Sequence, residues 1–398
     1  MDFRKIKGLQ ICQTKQIQRV EGGYIVPSQN SNKKYFVDEH EYDCTCPDYK
    51  ERQCTCKHAY AVRYYLHIEK ETSQGTQTEK LSLTHKQAWH AYNQAQNNEV
   101  MQFDILLKDL VERIEEPEQR FGRPRLSLKE QIFCSTQKVY SQLSSRRAYS
   151  LFKNAQAKEQ IEKAPNYNAI NKLLNREDIT PILHELISLS AFPLKVVEET
   201  FAIDSSGFRT TSFNDYCREK HDIKKEHEWV KVHILCGTKT NVICSAEITE
   251  ENASDCRQFI PLADKASKSG FNIKELCADK AYSSRDNIDF IDDLGGTAYI
   301  PFKSNSTGRS RGSLLWHKMF HYFKYRKEDF LAHYHRRSNV ESTFNMIKAK
   351  FGDKIKSKNK TARVNEMLCK ILAHNIVVLI HEFYELGISP DLVFGKKG

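Results

Sequence analysis

Three acidic residues and one tight group of sulfur and imidazole side chains are the parts of this 398-residue chain that could do chemistry. Asp204 closes the run Thr-Phe-Ala-Ile-Asp, and Asp279 closes Ile-Lys-Glu-Leu-Cys-Ala-Asp. An Asp at the end of a core strand is held rigidly while its carboxylate faces an open edge. Two such strands side by side put their carboxylates within reach of shared divalent cations. The third acid is Glu341, in Tyr334-His-Arg-Arg337-Ser-Asn-Val-Glu341-Ser-Thr-Phe-Asn-Met-Ile-Lys348. Positions three, four or seven apart share a helix face, so on one helix Tyr334, Arg337, Glu341 and Lys348 form a polar stripe. Val340, Phe344 and Ile347 lie on another side and can pack into a core. Mg²⁺, with Mn²⁺ as its substitute, is a hard ion that takes few carboxylates together with waters and phosphate oxygens, so two Asp and one Glu suit it. With two ions the chemistry is phosphoryl transfer: one activates a water or 3′-hydroxyl and the other stabilises the leaving oxygen. Arginine, lysine and tyrosine beside the Glu suit backbone phosphates. Asp also forms strand-end turns, and Ser338-Asn-Val-Glu341 also fits a helix capping box.

The second group reads Cys44-Thr-Cys46-Pro-Asp-Tyr, then Cys54-Thr-Cys56-Lys-His58. Zinc prefers four soft or borderline ligands in a tetrahedron, which two closely spaced pairs on a turn and a helix start can supply. Cys54 is a fifth candidate that could exchange roles with Cys56. Over about residues 17–68 this arrangement resembles the SWIM-type zinc finger, which implies Cys44, Cys46, Cys56 and His58 as the zinc ligands. Fingers of that type bind DNA or protein, and both partners stay open.

The Tyr, Arg, Glu and Lys spacing, with Asp204-Ser-Ser-Gly and Asp279-Lys-Ala-Tyr, resembles the signature of prokaryotic insertion-sequence transposases of the DDE superfamily. The likeness covers roughly residues 126–386. It implies a ribonuclease-H-like fold with catalytic roles for Asp204, Asp279 and Glu341, and DNA-end contacts for Tyr334, Arg337 and Lys348. It also implies double-stranded DNA as partner, both transposon ends and target, and by analogy a homodimer in a synaptic complex. The acids lie 75 and 62 residues apart, which leaves little room for the large β-insertion of some relatives.

The elements that must position these residues divide the chain in three. Residues 1–70 are expected to form a small β/α zinc finger, with a hairpin over 17–37 and a helix over 59–69; a polar linker follows over 71–83. Residues 71–195 read as a helical region, with helices over 128–143, 148–155 and 167–175 that form either a helix-turn-helix or a plain bundle. Gly122-Arg-Pro124 in this region resembles an AT-hook core or is a basic turn. Residues 196–390 alternate strands and helices as an α/β catalytic domain with a mixed sheet.

Composition sets the class of partner. A formal net charge of +10 favours polyanions. Lys303, Arg309, Arg311, Lys318, Lys324, Arg326 and Lys327 lie in a stretch without acids, and Lys354, Lys356, Lys358 and Lys360 follow the signature. Trp316, inside the first belt, either stacks on an extruded base or belongs to the core. The apolar run near 371–380 is interrupted by His374 and Asn375, so no membrane span is expected and the location expected is cytoplasmic, with the nucleoid. Twelve cysteines, four of them clustered, point to metal rather than to disulfides. Three functions follow: a transposase that cuts element ends and transfers strands, a zinc-finger regulator descended from one, or a metal-dependent nuclease without strand transfer.

Overall fold

The computed structural model describes residues 3–20, 22–28, 33–39, 42–52, 55–66, 70–72, 75–77, 88–119, 121–122, 125–210, 229–250 and 253–387. It comprises two compact units, Met1–Trp89 and His90–Gly398.

In the first unit, helix α1 (Phe3–Thr14) precedes the antiparallel strands β1 (Gln18–Val20), β2 (Gly23–Pro27) and β3 (Lys34–Asp38). The predicted hairpin is thus a three-stranded meander, its first turn passing through Gly22 at φ +79°. Helices α2 (Pro47–Arg52) and α3 (Lys57–Leu66) follow, so the predicted helix over 59–69 starts two residues early; residues 67–69 lie outside the described residues. Tyr24, Val26 and Val37 from the sheet, Ile11 from α1, and Ala59 and Val62 from α3 form the core. Part of the predicted linker pairs as β4 (Lys70–Thr72) with β5 (Gly75–Gln77).

The helical layer is α4 (Trp89–Val111), α5 (Leu128–Tyr140), α6 (Ser145–Ala157), α7 (Tyr167–Leu174) and α8 (Ile179–Ala191). The sheet follows, with β6 (Thr200–Arg209), β7 (Trp229–Gly237), β8 (Ile243–Glu250), α9 (Phe259–Lys268), β9 (Glu275–Ala278), α10 (Arg285–Asp293) and β10 (Thr297–Tyr299). Its order is β10-β9-β6-β7-β8; β10, β9 and β6 run parallel, and β6, β7 and β8 antiparallel, a mixed sheet as expected. Phe201, Ala202, Ile203, Leu276, Cys277 and Ala278 are all fully buried, as near-continuous apolar runs in a sheet covered on both faces should be. Buried Glu198 accepts the N–H groups of Lys239 and Thr240 and the Thr240 hydroxyl, which fixes the β7–β8 turn. A Cβ on Gly237 would lie 2.3 Å from the Glu198 carboxyl carbon, so only glycine fits there.

Helices α11 (Leu314–Tyr325), α12 (Lys327–Tyr334), α13 (Ser338–Phe351) and α14 (Lys360–Leu386) complete the unit. The apolar run read as too short for a bilayer lies within α14, which by length and composition alone is long and apolar enough to cross one. Of its most apolar 18-residue window, 83% is buried inside the protein. Its polar residues tie the helical layer to the sheet. Asn375, fully buried, accepts the Ile243 N–H and donates to the carbonyls of Ile187 and Ile243 and to Ser190. Asn365 joins Thr180 to the carbonyls of Leu174 and Arg176. Burial pulls the His374 imidazole down to about 4, and it bonds the Asn241 carbonyl.

Asn375→Leu keeps the branched outline, with a gain in volume, but orphans the groups it satisfies, at about 1–3 kcal/mol for a buried group left unpaired. A destabilisation of about 3 kcal/mol is expected in urea unfolding with an unchanged slope; less than 1 kcal/mol would mean that the clamp is dispensable.

Candidate active site and metal centre

Asp204 and Asp279 are brought together by register. In the parallel β6–β9 pair Ile203 stands opposite Ala278, so the next residues along the two strands are the two acids. The expectation that Asp204 ends its strand is corrected: β6 continues to Arg209, because Ser205, Ser206 and Gly207 pair with His233, Val232 and Lys231 of β7. Asp279 does sit at its strand's end, where its side chain accepts the Lys280 N–H. Asp204 accepts the Ser205 N–H at 2.8 Å.

The signature is not one uninterrupted α-helix. Helix α12 ends at Tyr334, a 3₁₀ turn spans His335–Arg337, and α13 begins at Ser338. Two side chains pin the turn to the sheet: Arg336 reaches Glu275 at 2.8 Å, and His333 bonds Glu275 and stacks on Tyr299. Arg337 then projects between two of the acids, with one nitrogen 2.5 Å from Asp204 and another 2.5 Å from Glu341. Burial lifts the Asp204 carboxyl above the usual carboxylate range against the pull of the Ser205 N–H and of Arg337, and the nearness of Asp279 and Glu341 adds to the rise. Lys348 donates to Ser206 at 2.7 Å, so Arg337 and Lys348 both reach the Asp204 strand, and the Tyr334 ring lies 6.0 Å from the Arg337 guanidinium. Val340, Phe344 and Ile347 are buried as predicted. The capping box does not form, since the Ser338 hydroxyl donates backward to the His335 carbonyl.

A further cluster beside Asp204 escaped the sequence reading. Asp255 accepts from Lys231 at 2.6 Å and from the Ser205 hydroxyl at 3.2 Å, and lies 3.5 Å from His233. Burial takes His233 down to about 4, and the buried Tyr282 hydroxyl has no hydrogen-bond partner among the described residues. These residues come from β6, β7 and the turns before α9 and α10, so no local spacing could reveal them. Only the alternation of Lys231 and His233 along β7 hinted at a shared face.

Among the described residues, one group brings its ligand atoms all within 4.8 Å of one another: Cys44, Cys46, Cys56 and His58, all buried. The sheet strand β3 pairs onward with Cys44, and α3 starts just after Cys56. The Cys56 thiol is held down to about 4 by hydrogen bonds from Cys44, from His58 and from the Ala59 N–H, while burial pushes Cys46 up. His58 Nε2 is buried without a hydrogen-bond partner among the described residues. Three sulfurs and an imidazole fit the donor set of a structural zinc site and could hold that ion. Cys54 lies outside the described residues.

Trp316 resolves as core: it is 5% exposed, donates to the Thr307 carbonyl and packs edge-on against Phe302, so it offers no face to a base. The seven cations of the first basic belt are all exposed. Arg120, Arg123 and Pro124 of the AT-hook-like segment lie outside the described residues. Helices α5, α6 and α7 pack on one another, and Arg146, Arg147, Lys153 and Lys172 are exposed.

No curated protein matches the sequence. A cryo-EM structure of the piggyBac transposase synaptic complex with hairpin DNA aligns with 73% of this chain and 74% of its own, at 9% identity and a TM-score of 0.35. Residues 196–376, the stretch that holds Asp204, Asp279, Glu341 and all five strands of the central sheet, match the family described as the transposase DDE domain.

Proposed function

We propose that this protein is a DNA transposase with a ribonuclease-H-like catalytic domain, which cuts at the ends of a mobile element and joins the freed 3′-hydroxyl to target DNA. The observation that carries the reading is the position of Asp204 and Asp279 directly after the paired Ile203 and Ala278, with Arg337 joining Glu341 to Asp204. The acids fit divalent cations by chemistry: all donors are hard oxygens, and the guanidinium already bound to two of them shows that the site attracts positive charge. Bound there, Mg²⁺ or Mn²⁺ would supply activation of the nucleophile and stabilisation of the leaving oxygen. Asp204, Asp279 and Glu341 would be the ligands. Tyr334, Arg337 and Lys348 would hold the DNA end through its phosphates, since a guanidinium and an ammonium are the donors that phosphate binds most strongly. We read residues 1–70 as a SWIM-type finger, 71–195 as the end-recognition region and 196–390 as the catalytic domain, working as a homodimer on paired ends in a prokaryotic cytoplasm.

Asp279→Ala separates this reading from a DNA-binding regulator. Duplex affinity should stay within a few-fold of wild type, while Mg²⁺- or Mn²⁺-dependent end cleavage falls by several orders of magnitude. Wild-type cleavage should stop with Ca²⁺ or EDTA, because ligand number and geometry differ for the larger ion. An Asp279→Ala protein that excises normally would overturn the assignment. Strand-transfer products, absent from a simple nuclease, distinguish the third possibility.

For the cysteine group, elemental analysis of the reduced protein should find about one zinc per chain. The double change Cys44→Ala and Cys56→Ala should abolish it and expose residues 1–66 to protease, since metal-binding energy is folding energy in so small a unit. Full zinc content in that variant would rule these ligands out.

A further inference from the structure

A cavity of about 460 Å³ opens between α5, α6, α7 and the segment that leads from α13 into α14. Three lysines line it, Lys138, Lys356 and Lys358, with no acid among its walls. Two of its edges are helix starts. At the start of α6, Ser144 makes no capping bond with its side chain; at the start of α14, Asn359 likewise does not cap but donates instead to Asn175 at 2.6 Å. Each helix therefore presents first-turn N–H groups that no side chain accepts, at the positive end of its dipole. The long α14, with 27 residues, contributes one of them.

Lys138 provides the independent sign of a ligand. It is 9% exposed, it lines the cavity, and among the described residues its ammonium has neither a hydrogen bond nor an ion pair. Its stem is enclosed, and the loss of solvation around the ammonium pulls its pKa down. Glu366 is the acid that faces it, but both Glu366 oxygens are occupied by the N–H groups of Lys356 and Ser357. The acid thus holds the loop in shape and acts on Lys138 through space, without an ion pair to it. Lys358, one of the lining lysines, is exposed, and outside the cavity Arg146 and Arg147 stand exposed on the first turn of α6.

From this arrangement we infer that the cavity binds the phosphate of a nucleic-acid backbone, at a place distinct from the acidic site. An anion there would meet two helix starts, the ammonium of an enclosed lysine and exposed surface cations, the combination by which proteins grip phosphate. The volume exceeds that of one small ion and admits a stretch of sugar and phosphate. The site rests on the proposed DNA-acting function, for which it supplies grip without reading sequence. Phosphate is the shared chemistry of two sources, a DNA strand and free inorganic phosphate.

The test uses the full chain and a labelled duplex, with anisotropy measured across a KCl titration. Lys358→Gln, an exposed change, and Lys138→Met, which keeps the aliphatic stem, should each weaken binding roughly tenfold. Each should also flatten the log–log salt slope by about one. Lys268→Gln, on α9 and away from the cavity, serves as the control for lost charge and should change neither. Thermal melting identifies any variant that fails to fold, and Lys358→Gln alone then decides. Inorganic phosphate at constant ionic strength should compete with the duplex on wild type and lose that effect in Lys358→Gln. Unchanged affinity and slope in Lys358→Gln would overturn the inference, as would an equal loss in Lys268→Gln. Phosphate binding that vanishes in Lys358→Gln while duplex affinity does not change would assign the cavity to a free anion, and so overturn the DNA source. A wild-type chain that binds no duplex would instead overturn the DNA-acting function itself, and with it this role for the cavity.

Discussion

Carboxylates that gather in a half-buried place need a cation, and here Arg337 provides it for two of the three. Its guanidinium spans Asp204 on the central strand and Glu341 one helical turn further on. The arm to Asp204 is largely shielded from solvent, so attraction there exceeds that of an exposed pair, while the arm to the more exposed Glu341 is screened. The bridge fixes where α13 meets the sheet. Once that meeting is fixed, Lys348 reaches Ser206, and Val340, Phe344 and Ile347 turn inward. One ion-pair triangle therefore orients a helix, a stripe and a strand edge at once. The arginine cannot serve a phosphate and both acids fully, so the site's charge balance has to be redistributed when an anion or a metal ion arrives.

The scaffold behind this triangle is the β6–β9 pair. Period-two alternation makes parallel register unforgiving, since a slip of one residue would turn Asp204 to the opposite face. The fully buried apolar run before each acid resists such a slip, because it would have to be repacked as a whole. Arg336 and His333, both held by Glu275 at the start of β9, lock the same register from outside.

Much of this was legible in one dimension. Short apolar runs that end in Asp, a helix pattern with Glu between Arg and Lys, and two thiol pairs carry their meaning locally. What was missed depends on pairing and depth. Ser205-Ser-Gly207 reads as a loop, yet it remains strand because β7 runs alongside for its whole length, and tertiary context overrides weak propensity. The Asp255 cluster draws on residues from four places in the chain. The 3₁₀ turn at His335–Arg337 is held by contacts with Glu275, 58 residues before His333 and 61 before Arg336, which no periodicity contains. Lys138 looks like an ordinary cation on the polar side of a helix, and only packing shows that it is enclosed. The polar residues of α14 similarly read as interruptions, when they are the joints between layers.

Helix α14 also bears on how the chain acquires its shape. Its partners in the core lie on α5, α7, α8 and β8, more than a hundred residues earlier in the order of synthesis. Residues 90–250 thus emerge with their inner faces uncovered and wait for residues 360–386 before the layers can close. Contacts of such separation slow folding, because the intervening loop must be closed before they form. Until then the faces of β8 and α8 that α14 covers are open to association with other chains, a hazard that chaperones relieve. Truncation before Lys360 accordingly removes more than a final helix: it takes away the surface on which the helical layer and the sheet become one folding unit.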